Sequence, residues 1–257
     1  MTILSTGKRV TEARRIAMWS GPRNISTAMM RSFENRADCT VSDEPLYGAW
    51  LAATREPHPM AAEIIEAMET DWRAVAATLS GPVPDDKPVW YQKHMTHHLL
   101  PEMMQADWLS RLTHVFLIRD PRRVVASYLE KRETVSPEAI GVPQQQALYD
   151  FARNELGQDP PVIDADDFLA DPEGQLRALC EHLAIEYSAD MLTWPPGPRV
   201  SDGVWAPHWY QTVRRSTGFG PPPGDQPQLG QRAASVAERC LPIYRGLFER
   251  RLRVGRH

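Results

Sequence analysis

Two short stretches of this chain carry residue types that suit the binding of anions. The first is Trp19-Ser20-Gly21-Pro22-Arg23-Asn24-Ile25-Ser26-Thr27. It reads as a strand end, a tight loop and the start of a helix. Free N–H groups at a helix N-terminus and the helix dipole both favour negative charge. With the hydroxyls of Ser26 and Thr27 and the cation of Arg23, the loop could cradle a phosphate. The lysine that a Walker A loop places before Ser or Thr is absent, because Ile25 precedes Ser26. Alone, the stretch reads rather as a capped helix after a turn. The second is Phe116-Leu117-Ile118-Arg119-Asp120-Pro121, with Ser127 eight positions after Arg119. An apolar strand delivers Arg119 at its carboxyl end, and Ser127 falls on an early turn of the next helix. A guanidinium fork and a hydroxyl so placed could share one phosphate. Alone, this too reads as an Arg-Asp pair capping a helix.

Two more stretches offer groups that could move protons or stabilise charge. Ser42-Asp43-Glu44-Pro45-Leu46 follows a short apolar run and sets Glu44 in a loop. Tyr91-Gln92-Lys93-His94-Met95-Thr96-His97-His98 ends another strand and sets Lys93 toward the same end of the sheet. Three histidines in five residues also raise the question of zinc, but no Cys or carboxylate completes a ligand set locally. No metal site is assigned.

Taken together, these residues and their order resemble the sulfotransferases that use 3'-phosphoadenosine 5'-phosphosulfate (PAPS). The loop Pro22-Arg23-Asn24-Ile25-Ser26-Thr27 is similar to that family's 5'-phosphosulfate loop. Arg119-Asp120-Pro121 with Ser127 is similar to its 3'-phosphate pair. Glu44-Pro45-Leu46 resembles the Glu-Pro-Leu of carbohydrate and bacterial members, whose Glu is the proposed base. Ala165-Asp166-Asp167-Phe168 with Asp171-Pro172 is a weaker match to the Tyr-Glu-Asp-Leu…Pro segment. The resemblance implies transfer of a sulfuryl group from PAPS to a hydroxyl or amine of a small-molecule acceptor. It implies Arg23, Asn24, Ile25, Ser26, Thr27, Arg119 and Ser127 as nucleotide-binding residues. Arg214, Ser216, Thr217 and Gly218 would stand in for a C-terminal Arg-Lys-Gly segment. Glu44 would be the base and Lys93 and Arg23 electrostatic stabilisers, with His94 as the rival base. PAPS is an activated donor, so no metal is required.

The departures are specific. Ile25 stands where the family has a loop glycine, and a β-branched residue disfavours the positive φ that glycine tolerates. Either the loop does not need that conformation or its path differs. Ala165 replaces a Tyr near the adenine, so a base would have to stack elsewhere, on Trp19 or on the C-terminal aromatics. Two other functions fit the same residues: an ATP- or GTP-dependent kinase with an atypical phosphate loop, and a non-catalytic nucleotide-binding module.

The elements that must position these groups follow from apolar patterning. Strands are expected at 15–19, 40–42, 89–93, 114–119 and 161–164, alternating with helices at 26–35, 60–79, 101–112, 121–131, 144–156, 172–183 and 232–251. Pro242 should kink or break the last of these. Alternation implies crossover connections and a parallel sheet covered on both faces, a P-loop-like α/β fold. Ligands of such sheets sit beyond the carboxyl ends of the strands. The loops after Trp19, Ser42, Lys93 and Arg119 should therefore meet at one crevice. The residues 194–228 hold eight prolines and exclude long helix or central strand. They form a cover segment or a surface excursion. The expected organisation is one domain over 1–257, with its core at 15–185.

Composition bounds the remaining possibilities. The 257 residues include 29 Lys and Arg against 33 Asp and Glu, for a net charge of -4. That argues against a general nucleic-acid binder. With 42% apolar and 24% charged residues, the chain is of globular rather than disordered type. Three scattered cysteines spell neither a disulfide framework nor a zinc knuckle. The polar opening around Lys8, Arg9 and Arg14 has no signal-like apolar stretch, so a cytoplasmic protein without membrane attachment is expected. Nothing fixes the oligomeric state or the acceptor.

Overall fold

The computed structural model describes residues 13–222 and 224–254. The polar opening at Lys8 and Arg9, and Pro223 of the proline-rich stretch, lie outside the described residues. The elements in chain order begin with β1 (Arg14–Ser20), α1 (Ser26–Glu34), β2 (Cys39–Asp43), α2 (Tyr47–Thr54), α3 (Ala61–Ala67) and α4 (Trp72–Leu79). Next come β3 (Val89–Met95), α5 (Ala106–Leu109), β4 (Thr113–Ile118), α6 (Pro121–Leu129), α7 (Val142–Asn154) and β5 (Val162–Asp164). The chain ends with α8 (Ala165–Ala170), α9 (Pro172–His182), α10 (Ala206–Trp209), α11 (Gln211–Arg215) and α12 (Gln231–Phe248).

The five strands form one sheet in the order β2-β3-β1-β4-β5, and every neighbouring pair is parallel. A parallel sheet must be covered on both faces, and side-chain alternation shows the two covers. Ala17, Trp19, Trp90, Phe116 and Ile118 pack with Leu148 and Tyr149 of α7 and Leu247 of α12. Ile16, Met18, Val89, Tyr91, Val115 and Leu117 pack with Met29, Met30 and Phe33 of α1 and Leu176 and Leu179 of α9. The expected α/β architecture is therefore the one found. The strand order reverses at β1, which has β3 on one side and β4 on the other, and this is where such sheets open a crevice.

Three helical expectations need correction. The helix expected at 60–79 is two helices, α3 and α4. Met68 is extended, Glu69 Oε1 accepts the N–H groups of Thr70 and Asp71, and Asp71 caps α4 through Arg73 N–H. These polar side chains offer the backbone partners outside a helix. The helix expected at 101–112 is only a turn at Pro101–Met103 followed by α5. Gln105 is extended, and Trp108 Nε1 donates to Met103 O at 2.8 Å, closing the corner. Pro242 does not break α12, which continues through it for 18 residues in all. Four helices, α2, α8, α10 and α11, were not anticipated. In α2 the apolar residues Ala49, Trp50, Leu51 and Ala52 run consecutively and hide the helical period.

Candidate functional site

The carboxyl ends of β1, β2 and β3 open into a cavity of about 450 Å³. The loop after β1 forms one side of it, through Pro22, Arg23, Asn24, Ser26 and Thr27. Glu44 and Lys93 lie on its floor, and Trp50, Trp205 and Trp209 supply walls.

The loop after β1 turns at Arg23, whose φ is 57°. Ile25, by contrast, has φ -86° and ψ 16°, which any residue adopts. The glycine of the resembling family is thus not needed at this position, because the left-handed turn falls two residues earlier. Asn24 ties the loop to β4 by donating to Leu117 O at 3.1 Å, and its Oδ1 accepts Ile25 N–H at 2.8 Å. Its side chain is therefore engaged within the protein. No side chain caps α1, so the first-turn N–H groups at Ser26 and Thr27 point outward uncapped.

Arg119 and Ser127 touch Arg23 and do not line the cavity. Arg23 Nε donates to Ser127 Oγ at 3.0 Å, and Arg119 Nη1 donates to Arg23 O at 2.7 Å. Asp120 caps α6 through Arg122 N–H, with Pro121 at the first helical position. Among the described residues, Arg119 Nε is buried and has no partner. The loop after β1 and the β4–α6 corner thus form one basic region, with first-turn N–H groups uncapped and, among the described residues, one buried guanidinium edge without a partner.

Glu44 and Lys93 form the polar floor. Neighbouring parallel strands align Asp43 of β2 with Lys93 of β3. Lys93 is buried, and its Nζ donates to Asp43 Oδ1 at 2.8 Å and to Glu44 Oε1 at 2.5 Å. The third donation goes to Tyr210 OH at 2.6 Å. Glu44 sits at φ 45° and is pinned there by its N–H bond to Lys93 O at 2.8 Å. A non-glycine residue at positive φ at such a site is strain held by its surroundings. Burial pushes the Glu44 carboxyl above the usual range. Lys93 opposes that push and Asp43 adds to it. Burial also works against the Lys93 ammonium, but Asp43 and Glu44 outweigh it and hold its pKa above the usual lysine value.

The histidines divide between the two faces of the sheet and its edge. His94 is next to Lys93 in β3, so its side chain projects to the opposite face. There it stacks on Trp19 at 4.2 Å between ring centroids, and burial lowers its pKa to about 3. It does not line the cavity, so His94 is not placed to act as the base. Trp19 is also wholly buried, donating to His114 Nδ1 at 2.9 Å, and cannot stack on a bound base. His97 and His98 do line the cavity. His98 lies between the rings of Tyr47 (4.2 Å) and Trp50 (4.8 Å), with Nδ1 3.8 Å from Glu44 Oε2. Burial keeps both rings neutral, His97 at about 3 and His98 well below the usual value. Among the described residues no three His, Cys, Asp or Glu side chains come together as a metal site.

The C-terminal candidates lie elsewhere. Arg214 pairs with Asp202 at 3.3 Å. Ser216 Oγ accepts from Trp194 Nε1 at 3.1 Å, Thr217 O accepts from Trp194 N, and Gly218 bridges Thr193. None of the four lines the cavity. The part of the proline-rich stretch that reaches the floor is instead Trp205 and Tyr210, so this stretch covers the site through its aromatic residues.

Comparison with known proteins agrees with this architecture. The sulfotransferase domain family matches residues 14–251. Two curated Arabidopsis thaliana proteins are related. Branched-chain-amino-acid aminotransferase-like protein 2 is 36% identical over 230 residues, which is 89% of this chain and 40% of that protein. Branched-chain-amino-acid aminotransferase-like protein 1 is 37% identical over 239 residues, 91% and 42% of the two chains. The chain thus spans about two-fifths of the length of these relatives. Among solved structures, the sulfotransferase from Alicyclobacillus acidocaldarius superposes with a TM-score of 0.58 at 14% identity, over 94% of this chain and 98% of that one. The sulfotransferase domain from the curacin biosynthetic pathway gives 0.51 at 14% identity, over 89% and 98%. At that identity the likeness is one of fold, while the domain match covers nearly the whole chain. On that match, the chain belongs to the sulfotransferase family.

Proposed function

We propose that this protein transfers a sulfuryl group from PAPS to a hydroxyl or amine of a small molecule held in the aromatic cavity. The observation that carries the reading is the shared wall. The loop after β1, with its uncapped N–H groups, and the Glu44–Lys93 pair line one cavity. An anionic donor on the loop would therefore meet an acceptor above the carboxylate. The buried, partnerless edge of Arg119 beside Ser127 and Arg23 supports a second phosphate there, as in a 3',5'-bisphosphorylated nucleotide.

Bound PAPS would supply the activated sulfate, already joined to a phosphate leaving group. The chain's residues supply placement and charge, the main contributions in transfers of this kind. Arg23 and the N–H groups of Ser26 and Thr27 would hold the 5' end. Arg119 and Ser127 would hold the 3'-phosphate. Lys93 would offset charge that grows on the transferring oxygens. Glu44 Oε2, which makes no hydrogen bond in the floor cluster, would accept the acceptor's proton. Trp50, Trp205 and Trp209 would exclude water and present ring faces to the acceptor. The case for a non-catalytic module was the substitution at Ile25, and its ordinary backbone angles remove that support. A kinase reading lacks the loop lysine.

Calorimetry with adenosine 3',5'-bisphosphate and AMP tests the proposal. The bisphosphate should bind at least about tenfold more tightly, since a charge-assisted phosphate contact is worth about 1.5–3 kcal/mol. Arg119→Ala should erase the difference while the protein stays folded. Equal affinities in the wild type would end the assignment.

A further inference from the structure

Tyr210 belongs to the proline-rich cover, yet its hydroxyl is the centre of the floor cluster. It accepts from Lys93 Nζ at 2.6 Å and from Trp205 Nε1 at 3.0 Å, and lies 2.8 Å from each Asp43 oxygen, to which it donates. A phenol has one donor and two acceptor positions, so every one of them is used. The three Lys93 protons are likewise spent, on Asp43, Glu44 and Tyr210. Asp43 also accepts Gly203 N–H at 3.2 Å, a second tie from the cover. The two carboxylates are therefore unequal. Asp43 is surrounded by donors from Lys93, Tyr210 and Gly203. Glu44 receives Lys93 on Oε1, lies at 3.4 Å from Tyr210 OH, and keeps Oε2 out of the cluster.

We propose that Tyr210 is a positioning residue: by donating to the carboxylate pair it helps keep Glu44 ionised and ready to take up a proton, and so makes the cover segment part of the working site. This rests on the sulfuryl-transfer reading for its use, though not for its geometry. The groups facing Glu44 are Asp43 from β2, Lys93 from β3, His98 from the turn after β3, Tyr47 from α2 and Tyr210 from the cover. Lys93 is the only ammonium among them, His98 is neutral, and Tyr210 stays a phenol because burial and then the two carboxylates push its pKa well up. Removing the phenol takes a donor from the carboxylate pair, and fewer donors make a carboxylate easier to protonate.

The test is the titration of Glu44, followed by NMR of protein labelled with carboxyl-¹³C glutamate and assigned with Glu44→Gln. Tyr210→Phe keeps the ring and removes the hydroxyl. It should raise the Glu44 midpoint by about half a pH unit or more. Its affinity for adenosine 3',5'-bisphosphate should stay within about twofold of wild type, since Tyr210 does not touch the loop after β1. Trp205→Phe, which removes a donor to Tyr210 OH, should shift the midpoint the same way by less, and carries the test if Tyr210→Phe does not fold. An unmoved Glu44 midpoint in the folded variants overturns the role of Tyr210. A wild type that binds no bisphosphate overturns the sulfuryl-transfer reading instead.

Discussion

Arg23 and Ser127 are 104 positions apart in sequence, and the Arg23 Nε–H···Oγ Ser127 bond at 3.0 Å makes two anion-binding motifs into one unit. Groups that share a bond do not act additively. Arg23→Ala and Ser127→Ala should each weaken adenosine 3',5'-bisphosphate about tenfold, at roughly 1.4 kcal/mol per factor of ten. The double variant should fall short of the summed loss by at least about 0.5 kcal/mol. A calorimetric double-mutant cycle reads this directly, and strict additivity would mean that the two motifs work independently.

Glu44→Gln keeps the shape of the side chain but cannot accept a proton. Once an acceptor is in hand, its kcat should fall about a hundredfold with little change in PAPS affinity. The sign of the pH dependence follows from the raised carboxyl pKa. Glu44 is a base only above that pKa, so wild-type kcat should rise with pH and then level off. The rise should be missing in Glu44→Gln.

Lys93→Ala should behave differently. It leaves two buried carboxylates beside each other without their counter-ion, a change that costs about 3–5 kcal/mol when one partner of a buried pair is removed. A large drop in Tm together with a low kcat is expected. Thermal melts at pH 5 and pH 8 should show the damage growing with pH, because protonation relieves it at the acid end.

His94→Ala should spare the chemistry. The ring lies against Trp19 on the far side of β3 from Lys93. Nucleotide affinity and kcat should stay within about twofold, while stability drops by about 2–4 kcal/mol from the cavity left behind. A loss of kcat larger than the loss of folded protein would restore His94 as a base.

Five histidines hold lowered pKa values through burial: His58 and His114 at about 4, His94 and His97 at about 3, and His98 well below the usual value. The unfolded chain binds protons at these positions from about pH 6.5 downward, and the folded chain does not. Stability should therefore fall as pH drops from 6.5 toward 4, by up to about 1.4 kcal/mol per pH unit for each ring protonated only when unfolded. A Tm unchanged between pH 7 and pH 5 would contradict this burial.

The sheet was legible because β1 and β4 hold apolar runs that end shortly before Gly21-Pro22 and Asp120-Pro121, and parallel strands buried on both faces leave that trace. Pro121 marked the start of α6. The orientation of His94 was also legible in principle, since alternation along β3 sets it opposite Lys93. What could not be read was distance. The partner that completes the floor cluster, Tyr210, is 117 positions from Lys93. No local period links a phenol in a proline-rich stretch to a strand end. The break between α3 and α4 was hidden because Ile64, Met68, Trp72 and Val75 keep a helical spacing across it, while the side chains of Glu69 and Asp71 capture the backbone.

The left-handed turn at Arg23 changes what a glycine would do in this loop. Restoring the family's residue by Ile25→Gly would not relax the chain, since position 25 already has an ordinary backbone. It would instead add unfolded-state freedom worth about 0.5–1 kcal/mol and remove a side chain that packs against the α1 face of the core. In this chain the bend and the cation occupy the same residue, Arg23, so position 25 is free to carry a side chain that packs into the core.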